Sequence, residues 1–354
     1  MSRARPLITA LILMCLAVPP ASAGASLRAQ QWNIDRVAAP QAWTTARGTG
    51  TVVAVVDSGI DWNHPEFGAG NPHAPKLVAG ASCIGAAAPS QCSTEPSAWL
   101  DSNGHGTHVS GIVAAPADGY GVVGVAPAAR IMPVRVLDAE ANGSARDVAV
   151  GIRYAVAHGA DVINLSVAGL PGVNHLARLG VLNDEILRAI DAATSAGVLV
   201  VIAAGNDGLP ACDHKLFRGD AGICVGGVDK RDQKAGYGNF GGGLDIVGPA
   251  GSAAALCSEG VLSTHLADRS SVCGAGVHGY ESMSGTSMAA PHAAGVGALL
   301  AQLGVRGAAA AQRIVATAVD LGSPGYDPVY GYGRVDARRA VENDTSPRWS
   351  PLSF

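Results

Sequence analysis

The sequence predicts an α/β fold in which a parallel β-sheet is sandwiched between helices, within a single domain. Short runs rich in β-branched residues have the length and composition of buried parallel strands. They are Thr51–Val56, Ile131–Leu137, Asp161–Leu165, Val198–Ala203 and Ile223–Val228. Apolar residues at helical spacing lie between them, at Arg146–His158 before Gly159 and at Asp184–Ala196 before Gly197. This alternation is typical of a parallel sheet covered on both faces, whose functional groups gather at the carboxyl ends of the strands.

The composition agrees with one large core. Of the 354 residues, 48% are hydrophobic and only 15% are charged, so the chain can bury enough apolar surface to fold. The 47 glycines are spread among apolar runs, which indicates tight turns and close packing rather than a flexible linker. A net charge of −4, with no basic stripe, argues against binding to nucleic acid.

The first residues have the pattern of an export signal. Arg3 and Arg5 precede the apolar stretch Leu7–Val18, and Ala21-Ser22-Ala23 fits a small-residue cleavage site. A membrane anchor is the alternative, but the stretch has only about half of the ~20 residues needed to span a bilayer. We therefore predict a signal peptide at 1–23 and one domain at 24–342. The tail at 343–354 is polar and contains proline, so we expect it to be disordered. The mature protein is expected to be secreted, to the cell exterior or the periplasm, with no membrane attachment.

Cysteine usage agrees with export. Cys15 leaves with the signal peptide, so six of the seven cysteines remain. Six cysteines allow fifteen pairings, but they lie in three close pairs along the chain. The simplest hypothesis is three local disulfides: Cys83 with Cys92, Cys212 with Cys224, and Cys257 with Cys273. Zinc binding is the alternative, although no spacing is C-x2-C and an oxidising compartment favours disulfides.

Two candidate catalytic residues lie in the first half of the chain. Asp57 directly follows the apolar strand TVVAVV, where a buried carboxylate needs a partner. A structural turn, or metal or phosphoryl chemistry, is the alternative for this residue. His105 lies between glycines at the start of a helical run, where a carboxylate could orient it as a general base. His105 and His108 are also spaced for a metal pair, but no third ligand follows. We therefore expect His108 to be a buried, hydrogen-bonded histidine.

Two further candidates lie in the second half. Ser287 precedes the small-residue helix Ala289–Leu303, whose free N–H groups and dipole would stabilise a negative oxygen. An ordinary helix cap is the alternative. Asn206 follows an apolar strand, and its neutral amide can donate to a developing oxyanion without titrating; a turn Asn is the alternative. Each alternative is plausible alone, but an acid, a base, a nucleophile and an oxyanion donor in glycine-framed loops together indicate catalysis by a serine nucleophile.

With these residues in the order Asp, His, Asn, Ser, the sequence resembles the subtilisin-like serine proteases, or subtilases. The segments VVAVVDSGID, NGHGTHVSG, INLSVAG, AAGN and GTSMAAPHAAG are similar to that family's signature segments, as is YGYGRVDA near the C-terminus. The resemblance extends from Trp32 to Val341 and implies a subtilisin-like fold with a single catalytic domain.

The resemblance implies a secreted serine endopeptidase that acts on polypeptides through an acyl-enzyme. Ser287 would be the nucleophile, His105 the general base and then the acid, and Asp57 the residue that orients the imidazole. Asn206 and the Ser287 backbone N–H would bind the oxyanion. The substrate would bind as an extended strand against two backbone edges and one pocket wall. These are Asn142, Gly143 and Ser144; Ser166, Val167 and Ala168; and Ala203, Ala204 and Gly205, with Ala168 where the family usually has Gly.

The resemblance also implies a structural calcium ion and no catalytic cofactor. The loop from residue 116 to 122 has the length and position of the family's calcium loop. The ligands would be the Asp118 side chain and the carbonyls of Pro116, Tyr120 and Val122, with Glu66 where a ligating Asp usually stands. These are hard oxygen donors, which suit Ca²⁺. A plain glycine turn is the alternative.

One departure from the family concerns folding. Secreted subtilases usually carry a long pro-segment, whereas only a few residues separate Ala23 from the mature-like start near Gln30. The expectation is a monomer that folds unaided or with a separate folding assistant, unless the gene model is truncated.

Two other functional classes are alternatives to a protease. An inactive binding protein on the same fold would often have lost one of the four candidate residues, which are all intact. An esterase would usually carry G-x-S-x-G, which the segment SGTSMA around Ser287 does not match.

Overall fold

The structure is a computed structural model that describes residues 26–167, 184–209, 222–252, 256–270 and 277–350. The expected signal peptide, Ala168, Cys212 and Cys273 lie outside the described residues.

Seven parallel strands form the central sheet of the described chain. They are β1 (Val52–Asp57), β2 (Ala81–Ser82), β3 (Arg130–Arg135), β4 (Val162–Leu165), β5 (Leu199–Ala203), β6 (Ile223–Val228) and β7 (Ile246–Pro249). Their order across the sheet is β2-β3-β1-β4-β5-β6-β7, and every neighbouring pair is parallel. All five strands predicted from β-branched runs are present, with ends that differ by two residues at most. The predicted parallel α/β class is confirmed.

Helices cover both faces of this sheet. They are α1 (Trp32–Arg36), α2 (Ala39–Ala42), α3 (His105–Ala114), α4 (Ala145–Ala157), α5 (Asp184–Ser195), α6 (Thr286–Gln302), α7 (Gly307–Ala316) and α8 (Ala337–Glu342). Successive side chains of a strand point to opposite faces, and β1 shows the result. Val53 and Val55 pack in one core with residues of α3 and α6, whereas Ala54 and Val56 pack in a second core with residues of α4 and α5.

Small residues let α6 run through the middle of the protein. Every residue from Thr286 to Ala301 is buried. A Cβ atom added at Gly295 would lie 2.6 Å from Cβ of Val125, and one added at Gly297 would lie 2.5 Å from Cδ2 of Leu199. The helix can therefore approach its neighbours closely only because these positions lack side chains.

The C-terminal end of α6 is attached to the segment that leads into β1. The Gln302 side-chain oxygen accepts hydrogen bonds from the backbone N–H groups of Arg47, Gly48 and Thr49, at 2.9, 2.7 and 2.9 Å. One side chain thus fixes the backbone that leads into β1.

Two small sheets complete the fold. β8 (Val261–Thr264) and β9 (Tyr280–Met283) pair antiparallel, and β10 (Asp320–Leu321) pairs in parallel with β11 (Trp349–Ser350). Within the described ranges, no single helix is long and apolar enough to cross a membrane; α6 and α7 reach that length and composition only as a pair bent by 118°.

Residues of the predicted tail, as far as the structure describes it, make hydrogen bonds to the rest of the protein. The buried Arg339 guanidinium donates to the Ser346 carbonyl at 2.5 Å and to Asp344 at 3.2 Å. The Trp349 indole donates to the Gly322 carbonyl at 3.0 Å. These bonds hold the described part of the tail beside β10.

One of the predicted disulfides is present in full. Cys83 and Cys92 are bonded, with 4.4 Å between their Cα atoms. Cys224 and Cys257 each take part in a disulfide as well, but not with each other. Because Cys212 and Cys273 lie outside the described residues, the two other pairings stay predictions.

Candidate active site

The carboxyl ends of three neighbouring strands bring candidate residues to one edge of the sheet. β1 ends at Asp57, β4 leads directly to Ser166, and β5 leads through two small residues to Asn206. In the register of β1 with β4, Val56 lies opposite Leu165. Asp57 and Ser166, one residue further along each strand, are therefore neighbours at the strand ends.

Asp57 and His105 are held together at this edge. The Asp57 side chain is fully buried, and its Oδ1 accepts a hydrogen bond from the Ser58 backbone N–H at 2.7 Å. His105 Nδ1 lies 2.8 Å from Oδ1 and 3.0 Å from Oδ2 of this carboxylate. Burial lowers the pKa of His105, but the charge and hydrogen bond of Asp57 outweigh it, so the net pKa is raised. A proton on Nδ1 leaves Nε2 of the neutral ring as an acceptor.

The glycines beside His105 are required by close contacts. Gly104 has a φ of +102°, and a Cβ atom there would lie 2.2 Å from Cε1 of His265. A Cβ atom at Gly106 would lie 2.3 Å from the Gly59 carbonyl oxygen. Any side chain at these positions would displace the first turn of α3, which carries His105.

His108 lies on the same helix but faces away from this group. It is fully buried, and its Nε2 lies 3.1 Å from the carbonyl oxygens of both Val261 and Glu281. Burial, with smaller effects from His265 and His105, lowers the pKa of His108 to about 3. Over the described ranges, no group of three or more His, Cys, Asp or Glu residues could hold a metal ion. The geometry is that of a neutral structural histidine.

Ser287 lies in the first turn of α6, against the end of β4. Its Oγ donates to the Ser166 carbonyl at 3.0 Å, and the Ser166 hydroxyl donates to the Ser287 carbonyl at 2.9 Å. The second bond forms because a proline leaves the Ser287 carbonyl without its usual partner in the helix. The helix would normally satisfy the Ser287 carbonyl from the residue four positions later, but that residue is Pro291, which has no N–H. Asn164 donates to the Ser166 hydroxyl at 2.9 Å and orients it.

Asn206 is oriented by the residue that precedes Ser287. Its Oδ1 accepts hydrogen bonds from the Thr286 backbone N–H and hydroxyl, at 2.9 and 3.0 Å. The same hydroxyl accepts a hydrogen bond from the Gly205 N–H at 3.0 Å. With its oxygen engaged, the amide presents Nδ2 as a donor. In the described part of the chain, neither this Nδ2 nor the Ser287 backbone N–H donates a hydrogen bond to protein.

Of the backbone segments expected to bind substrate, two continue strands of the sheet edge described above, and the third lies before α4. Residues 142–144 lead into α4, residues 166 and 167 follow β4, and residues 203–205 end and follow β5. Asn103 connects the loop that precedes residues 142–144 to His105. Its side-chain nitrogen donates to the Ala139 carbonyl at 2.8 Å, and its side-chain oxygen accepts a hydrogen bond from the His105 N–H at 3.2 Å. Thr286, Asn103 and the Ser166 hydroxyl were not among the sequence-predicted site residues.

The residues expected to bind calcium form a separate cluster. Oε1 of buried Glu66 accepts hydrogen bonds from the Val122 N–H and the Tyr280 hydroxyl, both at 2.9 Å. Oε2 of Glu66 is buried and has no partner within the described residues. Burial raises the pKa of Glu66 to about 7. Asp118 is exposed, and its Oδ1 accepts the Tyr120 N–H at 3.0 Å.

Comparison with known proteins agrees with this arrangement. The model of the subtilase family matches residues 48–333. Thermitase from Thermoactinomyces vulgaris is 34% identical over 314 residues, which cover 88% of this chain and 96% of thermitase. Subtilisin Savinase from Lederbergia lenta is 36% identical over 313 residues, covering 88% of this chain and 98% of the relative.

A solved structure of a protease from Pseudoalteromonas arctica PAMC 21717 superposes with a TM-score of 0.72 at 30% identity. The superposition covers 91% of this chain and 99% of the other. The family model spans the seven strands of the central sheet, helices α3 to α7 and the segments that meet at the sheet edge. The chain belongs to the subtilase family and is a serine-type endopeptidase.

Proposed function

We propose that the protein is a secreted endopeptidase that cleaves polypeptides with Asp57, His105 and Ser287 as its triad and Asn206 in its oxyanion hole. The observation that carries the proposal is the pair of contacts, 2.8 and 3.0 Å, between His105 Nδ1 and the buried Asp57 carboxylate. This pairing leaves Nε2 as the basic nitrogen, which is the requirement for a general base. Ser287 lies against Ser166, the neighbour of Asp57 at the strand ends.

The first half of the reaction forms an acyl-enzyme. Ser287 Oγ attacks the peptide carbonyl carbon while its proton passes to His105 Nε2. The carbonyl oxygen becomes an oxyanion, which accepts hydrogen bonds from the Ser287 backbone N–H and Asn206 Nδ2. His105 then gives the proton to the leaving nitrogen as the C–N bond breaks. Before attack, Oγ must leave the Ser166 carbonyl, to which it donates in the free enzyme.

The second half releases the acid product. Water replaces the departed amine, and His105 Nε2 takes one of its protons as the oxygen attacks the acyl carbon. The proton returns to Ser287 Oγ as the ester bond breaks. Asp57 keeps its negative charge throughout and stabilises the imidazolium in both halves.

The substrate is proposed to bind as an extended strand between residues 142–144 and residues 166–168. Strand addition satisfies the peptide's backbone groups without reading its side chains. Ala203, Ala204 and Gly205 would form a wall of the primary pocket. All three are buried and small, so their side chains would take little space from a pocket beside them.

Secretion is proposed from the signal-like N-terminus and the disulfides. A bond between Cys83 and Cys92 persists in an oxidising compartment such as the periplasm or the cell exterior.

A structural Ca²⁺ ion beside Glu66 is proposed because the donors fit a hard cation. Glu66 Oε2 is a buried oxygen without a partner among the described residues. In that part of the chain, the carbonyls of Pro116, Tyr120 and Val122 accept no hydrogen bond. Oxygen donors of this kind bind Ca²⁺, which would neutralise the buried carboxylate and stabilise the loop.

The proposal is tested by comparing the secreted wild-type protein with Ser287→Ala on unfolded casein and on matched peptide and ester substrates. We expect casein and peptide cleavage by the wild type only, and covalent labelling of Ser287 by a fluorophosphonate. Cleavage of esters without peptides would indicate an esterase. A folded wild-type protein that neither cleaves nor reacts would indicate an inactive relative, and peptide cleavage retained by Ser287→Ala would refute the triad.

A further inference from the structure

The Asp147 carboxylate joins two segments that are far apart in sequence. It lies in the first turn of α4 and is only 7% exposed. Its Oδ2 accepts the Ser144 backbone N–H at 3.1 Å, and its own N–H donates to the Ser144 hydroxyl at 3.1 Å. Its Oδ1 accepts the Gly85 N–H at 2.8 Å. Ser144 belongs to the segment proposed to bind substrate, and Gly85 belongs to the loop closed by the Cys83–Cys92 disulfide.

The substrate-binding segment has little else to hold it on this side. Asn142 and Ser144 are exposed, and the loop before them closes mainly on itself through two 2.8 Å bonds between Asp138 and Asn142. On the inner side, Gly143 is pressed against the end of β3, because a Cβ atom there would lie 2.5 Å from the Val136 carbonyl oxygen. At the other end of the segment, Asp147 holds the Ser144 backbone N–H.

The disulfide loop is, in contrast, firmly attached to the sheet. The Cys83 N–H donates to the Arg135 carbonyl at 2.8 Å, and Ser82 and Ser93 exchange two backbone hydrogen bonds of 2.8 Å across the base of the loop. Cys83 and Cys92 are buried in the same core as α4. The bridge thus fixes the loop that carries Gly85.

We propose that Asp147 is a positioning residue for the upstream part of the substrate, and that the Cys83–Cys92 disulfide loop braces it. The carboxylate transmits the rigidity of the disulfide loop to the Ser144 backbone through two hydrogen bonds to a charged acceptor, which are stronger than neutral ones. A pre-ordered edge costs less entropy when the substrate strand adds to it. The inference rests on the proposed substrate-binding role of residues 142–144 and predicts an effect that depends on substrate length.

The test compares Asp147→Ala and the double variant Cys83→Ser/Cys92→Ser with the wild type on two esters. One is an N-acetylated single-residue ester, which is too short to reach residues 142–144. The other is an N-acetylated tetrapeptide ester with the same last residue and leaving group. We expect KM for the tetrapeptide to rise about tenfold in both variants, as for the loss of one good hydrogen bond. We expect kcat/KM for the short ester to change less than twofold.

A control variant separates positioning from helix capping, since Asp147 also caps α4. Ala157→Gly weakens the same helix at its exposed, far end. We expect it to lower the thermal stability without any effect that depends on substrate length. Equal losses on both esters in Asp147→Ala, or a tetrapeptide KM equal to that of the wild type, would overturn the proposal.

Hydrogen–deuterium exchange gives a readout that does not require catalysis. We expect the peptide covering residues 138–148 to exchange faster in Asp147→Ala and in the cysteine double variant, but not in Ala157→Gly. Unchanged exchange in Asp147→Ala and in the cysteine double variant would refute the proposed support of residues 142–144, even if the enzyme is active. A wild-type protein that does not react at Ser287 would instead overturn the proposed function, while the exchange measurement would still decide on the brace.

Discussion

Thr286 makes two hydrogen bonds to Asn206, from its backbone N–H at 2.9 Å and from its hydroxyl at 3.0 Å, and both end on Oδ1. The residue that precedes Ser287 therefore determines which atom of the Asn206 amide faces outward. Because the carbonyl oxygen is engaged, the donor nitrogen is the one left free to donate. The geometry of the proposed oxyanion hole thus depends on Thr286, which has no proposed contact with the substrate.

We expect Asn206→Ala to lower kcat by about 10²–10³, the loss known for removal of the corresponding donor in subtilisin. Thr286→Val removes only the orienting hydroxyl and should lower kcat by about tenfold, in keeping with one hydrogen bond. Thr286→Ser keeps the hydroxyl and serves as the control. The measurement is steady-state hydrolysis of a peptide amide. If the Val variant matched the wild type, the hydroxyl would have no part in orienting Asn206.

The pH dependence should report the Asp57–His105 pair. His105 must be neutral to act as a base, so kcat/KM should fall as pH falls through its pKa, which lies above the ordinary 6.5. In Asp57→Asn the raising effect of the carboxylate is lost while burial remains, so the acid limb should move to lower pH. The same variant should lose about 10⁴ in kcat. The measurement is a pH profile of kcat/KM for both proteins, and an acid limb at the same pH in both would contradict the assignment.

Buried histidines should destabilise the protein in acid. Burial lowers the pKa of His292 to about 4 and that of His108 to about 3, against 6.5 for the unfolded chain. Between these values the unfolded state binds protons that the folded state does not, so stability falls as pH drops below 6.5. Each histidine contributes up to about 1.4 kcal/mol per pH unit.

The check is urea unfolding of Ser287→Ala, which avoids self-digestion, between pH 7 and 4.5. His292→Gln in that background should be less stable at pH 7, because the imidazole bonds to Asn33 and Met288 are lost. Its stability should fall less steeply with acid, by up to one proton. His73→Gln, at an exposed position, should leave the slope unchanged. An unaltered slope in the His292 variant would count against the linkage.

Calcium should stabilise the fold through Glu66. At a free Ca²⁺ concentration 100 times Kd, the expected gain in the free energy of unfolding is about 2.7 kcal/mol. EGTA should therefore lower Tm in the Ser287→Ala background, and Glu66→Gln should remove most of the difference between the two conditions. Glu140→Gln, at an exposed position, is the matched control. If Ca²⁺ and EGTA gave the same Tm in the parent protein, no such site would exist.

The sequence predicted those features that depend on residues close to one another in the chain. β-Branched runs identified five strands of the central sheet, and glycine-framed motifs predicted Asp57, His105 and Ser287 as candidate site residues. The contact between Thr286 and Asn206 could not be found in this way, since 80 positions separate them. The order of residues within one motif does not indicate which side chain from another element will contact that motif.

Two sets of contacts that the sequence does not reveal have the same explanation. Pro291 was visible in the sequence, but only the packed structure shows that the carbonyl it leaves free is taken by Ser166. The composition of the tail likewise does not reveal that Asp344 and Ser346 accept hydrogen bonds from Arg339. In both cases the deciding partner lies on another element, so propensity and composition contain no information about it.

The attachment of both ends of α6 has a consequence for how this chain can vary in length. Its first turn carries Ser287, and its last residue, Gln302, holds the amides that lead into the strand ending at Asp57. Inserting one residue would turn everything beyond it by about 100°, so either the serine or the glutamine would leave its place. The length of the helix therefore fixes the position of Ser287 relative to the strand that ends at Asp57. Insertions should therefore be accepted in the surface loops but rejected anywhere within these 17 residues.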